Sequence, residues 1–106
     1  MGGEFQGYVI TLKEGEHLND KFQRMVFQAQ YDHGHSGYSG TFAEKPGVVI
    51  IPIHRAQEDE VNPVNSNYWT REGAYNHALN HNGKWEDANA YELGPRTWYI
   101  GGWCSS

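Results

Sequence analysis

Six histidines in 106 residues are the first groups to weigh, because imidazole titrates near neutral pH and ligates zinc. His77 and His81 are four apart in a stretch that reads as helical, a spacing that puts both rings on one face. His33 and His35 flank Gly34, and Cys104 could add a sulfur. Between His77 and His81 stand Ala78, Leu79 and Asn80, so the glutamate of the metalloprotease pattern is missing. Spacing supplies no third convergent ligand. No metal site is assigned, and ordinary surface histidines are preferred. His33 or His35 with His54 could act as an acid–base pair on a phosphodiester. Ser36, Ser39 and Cys104 are the remaining nucleophile candidates. Gly37 and Gly40 flank Ser39 asymmetrically and a strand should follow, so the nucleophile-elbow pattern is not met, and Cys104 lies where a chain usually frays. No catalytic residue and no cofactor is assigned.

A binding surface is the stronger expectation. The run Asp32-His33-Gly34-His35-Ser36-Gly37-Tyr38-Ser39-Gly40-Thr41 has glycines that allow close backbone approach to a ligand, with small hydroxyls and one ring for stacking. It leads toward a strand and has no P-loop lysine, so it is no nucleotide triphosphate cradle. The bland alternative is a turn that binds nothing. Trp69, Trp85, Trp98 and Trp103 join seven tyrosines, more ring area than a small core buries, since each ring covers roughly 150–250 Å². Trp85 and Trp98 suit the core. Aromatic residues also favour binding hot spots, so the expected recognition set is His33, His35, Tyr38, Ser39, Thr41, Trp85 and Trp103.

The elements that must position these groups follow from patterning. Tyr8 to Leu12 is a β-branched strand. Leu18, Phe22, Met25, Val26 and Ala29 fall on one face of a helix over residues 16–31. Thr41–Glu44 and Gly47–His54 flank Lys45-Pro46 and read as a hairpin, with Val48 to Ile51 apolar on both faces as in a covered central strand. A surface loop over 57–67 follows, then a second helix over 69–81. Thr70 would be its N-cap, and Tyr75, Ala78 and Leu79 would point inward. Asn82-Gly83 should end that helix in the left-handed region. Ala88–Leu93 and Thr97–Cys104 make a last strand pair around Gly94-Pro95. The order is β-α-β-β-α-β-β, an α+β domain with two helices on one face of a mainly antiparallel sheet. Leu18, Phe22, Met25 and Val26 of the first helix should pack on the sheet carrying Val49 and Ile51. Met1 to Phe5 resembles a cloning remnant, the Glu-Phe pair being what a common restriction site encodes, which leaves residues 6–106 as the domain.

Composition narrows the classes further. Eight basic against 13 acidic residues give a net charge of -5, which disfavours a non-specific polyanion binder. One cysteine excludes a disulfide framework within the chain. No apolar run reaches the roughly 20 residues of a membrane span. A cytoplasmic setting with no membrane contact is expected.

The loop from Tyr31 to Lys45 resembles one found in small proteins of bacteriophages and mobile elements. The stretch Gly83-Lys84-Trp85-Glu86-Asp87-Ala88-Asn89-Ala90 and the ending Trp98-Tyr99-Ile100-Gly101-Gly102-Trp103 are similar to the same group. Glu86-Asp87 replaces the Gly-Pro usual there. The resemblance implies a phage-type accessory or counter-defence factor acting in the host cytoplasm, and it carries over no catalytic residue. The expected function is therefore non-enzymatic binding: inhibition of a host protein or sequestration of a nucleotide-like ligand, as a monomer or homo-oligomer. The alternatives are a histidine-dependent phosphodiesterase or nuclease, with or without zinc, and a structural domain with no ligand.

Overall fold

A computed structural model describes residues 3–33, 47–82 and 87–105, with side chains given for 5–28, 47–82 and 87–104. Within these residues the chain is an α+β fold. Strand β1 (Gly3–Thr11) leads to helix α1 (Leu18–His33), then to the short strand β2 (Val48–Ile50). Two 3-10 turns, Ile53–Arg55 and Glu58–Glu60, precede helix α2 (Arg71–His81). Strands β3 (Ala88–Gly94) and β4 (Thr97–Ser105) close the fold as a hairpin. The sheet order is β1-β4-β3-β2. Its β1–β4 and β3–β4 pairs are antiparallel, and β2 runs parallel to β3.

The two helices cover opposite faces, not one. Leu18, Phe22 and Val26 of α1 join Leu12, Ala88, Ala90, Ile100 and Cys104 in one buried cluster. Ala74 and Ala78 of α2 join Trp69, Tyr91 and Tyr99 in another. Alternation along β3 and β4 sorts these residues, since successive strand side chains point to opposite faces. The topology supplies the reason. Strands β1, β2 and β3 all run the same way, and the two crossovers linking them travel across the sheet in opposite senses. Parallel crossovers share one hand almost without exception, and two of the same hand moving oppositely must pass over opposite faces. Thr41–Glu44, the expected first arm of a hairpin, lies outside the described residues. Its second arm pairs in parallel with β3, through Val48 opposite Ala88.

Strand β2 also differs in position. It lies at the edge of the described sheet, and Val49 and Ile50 are exposed. The face of α1 is as its periodicity requires, and it packs on the sheet to which β2 belongs, against Ala88, Ala90, Ile100 and Cys104 with Ile10 and Val48 alongside. Val49 takes no part, and Ile51 packs in the cluster beneath α2. Residues Gly3 to Phe5, set aside on sequence, are the start of β1. Phe5 stands opposite Trp103 and touches it edge-on at 5.6 Å between ring centres. Cys104 does not fray. It is fully buried beneath α1 as a small apolar residue.

Helix α2 is capped as expected, the Thr70 hydroxyl accepting from the Gly73 amide at 2.9 Å. Its inward face is small, made by Gly73, Ala74 and Ala78, so Tyr75 is turned outward and 42% exposed. Asn82 ends the helix with extended angles, φ -116 and ψ 135, not left-handed ones. Its side chain is needed elsewhere.

Candidate functional site

Two arrangements lie between α2 and the sheet. The first is a chain of polar side chains whose direction is set by the backbone. The Trp103 amide can only donate, and it donates to Asn82 Oδ1 at 3.0 Å. Asn82 Nδ2 therefore faces the other way, donating to the Asp87 carbonyl at 2.7 Å and to Asn89 Oδ1 at 3.0 Å. Asn89, buried in the sheet, in turn donates from Nδ2 to the Tyr91 hydroxyl at 2.8 Å. That oxygen is left with a proton to give, and His77 Nδ1 lies 2.8 Å away. His77 thus accepts at Nδ1 and carries its proton on Nε2. Buried polar groups are costly unless partnered, and here each link satisfies the next.

His77 and His81 share one helix face, with ring centres 4.3 Å apart. The spacing is as the sequence suggests, and with Nδ1 accepting from Tyr91 the Nε2 proton faces away from that hydroxyl. A metal at Nε2 would require the proton to move to Nδ1, with the Tyr91 oxygen then accepting from both Asn89 and His77. Among the described residues no group of three or more His, Cys, Asp or Glu converges for a metal ion. Burial, and next the neighbouring His81 imidazole, hold the His77 pKa below its ordinary value of 6.5, with Glu60 opposing and Arg55 reinforcing. Burial pushes the Tyr91 hydroxyl well above the usual phenol range, so it remains a donor.

This has a pH consequence with a definite sign. Above pH 6.5 His77 is neutral in the folded and unfolded chain alike. Below it the unfolded imidazole takes a proton that the folded one resists, so stability falls with pH until the depressed folded pKa is passed. Urea midpoints at pH 8 and pH 5.5 should therefore drop further in the parent than in His77→Gln. Equal drops would remove His77 from the pH response.

The second arrangement is an open groove of about 550 Å³ lined by Phe5, Gly7, Arg71, Glu72, Tyr75 and Tyr99. Small-molecule sites occupy roughly 300–1,000 Å³. Gly7 and Gly101 face each other across β1 and β4, and the Tyr99 ring lies across both. A Cβ at Gly7 would collide with the Tyr99 hydroxyl, and one at Gly101 would lie 2.9 Å from both Tyr99 and Phe5. Phe5 and Tyr75 meet edge-on at 5.3 Å to form one wall. Arg71 and Glu72 open the first turn of α2 and supply opposite charges beside those rings.

Tyr99 is the unusual member. It is only 4% exposed, yet no described residue hydrogen-bonds its hydroxyl, which faces the groove. Burial and then Tyr75 raise its pKa, against the pull of Arg71. A hydroxyl on the wall of an open groove is served by water, which a ligand atom could replace.

Of the expected recognition set, only Trp103 has a described side chain. Its indole donates to the Leu79 carbonyl at 2.8 Å, tying β4 to the end of α2. His33 is the last residue of α1, its side chain outside the described residues. His35, Tyr38, Ser39, Thr41 and Trp85 all lie outside them. His54 is exposed on the first 3-10 turn. Sequence reasoning passed over Tyr99, Arg71 and Glu72. Lone glycines inside strand patterns, Gly7 and Gly101, were the available signal of a close approach. Comparison of the chain with protein-family models, curated proteins and solved structures returned no match.

Proposed function

We propose that this chain is a non-enzymatic binding protein that sequesters a small nucleotide-like ligand in the groove beside α2. The observation that carries the reading is the Tyr99 hydroxyl, without a hydrogen-bond partner among the described residues, in a groove it shares with Arg71. Phe5 and Tyr75 offer ring surface for stacking, worth about 1–3 kcal/mol for each base stacked. Arg71 suits one phosphate, with the helix N-terminus adding favourable potential. A net charge of -5 is compatible with one such contact and unfavourable to a long polyanion. No helix among the described residues is long and apolar enough to cross a membrane. The resemblance to bacteriophage and mobile-element proteins fits a factor that withholds such a ligand in a host cytoplasm.

The test is an amide-shift titration with nucleoside monophosphates. Shifts should cluster at Phe5, Gly7, Tyr75 and Tyr99, and Arg71→Ala should weaken binding by about tenfold. Absence of saturable shifts there with every nucleotide would end the reading.

A further inference from the structure

We infer that the groove selects bases bearing a lactam edge, an N–H beside a carbonyl, with guanine the best fit and adenine disfavoured. This rests on the nucleotide reading and adds to it which base is taken. Tyr99 keeps its proton at any ordinary pH, because burial disfavours the phenolate. Its hydroxyl offers a donor to the groove it lines, and no described residue supplies its acceptor. Glu72 lines the same groove and is exposed. Its carboxylate can only accept.

One neutral donor and one ionised acceptor therefore face the same ligand. A lactam answers both, its carbonyl oxygen accepting from Tyr99 while its ring N–H donates to Glu72. Guanine carries a second N–H on its 2-amino group beside the first, so it can meet both carboxylate oxygens. Charge-assisted two-point pairs of this kind are the strong ones. Hypoxanthine keeps the lactam and loses the second donor. Adenine has an amine in place of the carbonyl, so it offers Glu72 a single donor and Tyr99 only a ring nitrogen. Arg71 is left for the phosphate in each case.

Binding of GMP, IMP and AMP should be measured by calorimetry on the parent, Glu72→Gln and Tyr99→Phe. The expected order is GMP, then IMP, then AMP, with GMP ahead of AMP by roughly tenfold or more. Glu72→Gln should bring GMP and AMP to within a few-fold, mainly by weakening GMP. Tyr99→Phe should weaken GMP and IMP more than AMP, and its urea midpoint shows whether the fold is intact. Equal affinity for all three nucleotides in the parent would overturn the base preference and leave nucleotide binding standing. No binding of any of them would remove both.

Discussion

Phe22→Ala is expected to lower the free energy of unfolding by about 3–5 kcal/mol, the usual cost of emptying a ring-sized site in a core. Phe22 is fully buried on the face of α1 that also carries Leu18 and Val26. The surrounding alanines of β3, Ala88 and Ala90, are too small to collapse into the space. Urea unfolding of the variant is the measurement. A loss below about 1 kcal/mol would place α1 on the surface and leave that face of the sheet without its cover.

Trp69→Ala should be as damaging on the other face, again by about 3–5 kcal/mol. The indole is 1% exposed and meets Tyr91 edge-on at 4.7 Å and His77 at 5.1 Å. Its Nε1 donates to the Ile51 carbonyl at 3.3 Å, and its own amide donates to the Glu92 carbonyl at 2.9 Å. Truncation therefore opens a cavity, orphans a carbonyl and loosens the loop that delivers α2. Trp69→Phe keeps part of the ring and should cost less. Because the two clusters lie on opposite faces and share no residue, Phe22→Leu and Trp69→Phe should combine additively to within about 0.5 kcal/mol. A larger discrepancy would mean that the faces communicate through the strands between them.

Local signals made some elements legible. The three- and four-residue spacings from Leu18 to Val26 mark α1 because only a helix gathers them on one side. Thr70 marks the start of α2 because its hydroxyl has one obvious use. Gly94-Pro95 marks the turn between the last two strands, which pair as expected. Non-local features were hidden. Val48 to Ile50 is as apolar as any central strand, and nothing in the residues tells that its neighbour would be β3, running parallel at an edge. The face of α2 was legible at Ala78 but not at Gly73 and Ala74, because periodicity is read most readily from large side chains. Tyr75 was assigned inward on that basis, and it stands in the wall of the groove instead.

The groove itself depends on register. Phe5 and Tyr99 come from opposite ends of the chain and meet only because Gly7 pairs with Gly101. Such a coincidence has no local signature beyond the two glycines. The polar chain from Trp103 to His77 was equally hidden, since Asn82 had an obvious alternative use as a helix terminator. The histidine pair was visible, but its tautomer depends on groups contributed by three separate segments, α2 with its cap, β3 and β4.

The pairing of β1 with β4 has a mechanical consequence. Gly3 stands opposite Ser105, so both ends of this pair emerge at one corner of the sheet. Hydrogen bonds in an antiparallel pair lie perpendicular to the strands. A pull that separates Gly3 from Ser105 therefore acts along those bonds and loads them in turn, beginning at the corner. The pair should peel like a zip at low force, where strands drawn lengthwise past each other would share the load across every bond at once. Phe5 leaves its place beside Trp103 within the first steps of that peeling. Tension at this corner would reach the Glu4–Cys104 pair first and then the Phe5 wall of the groove, before the glycine pair behind it.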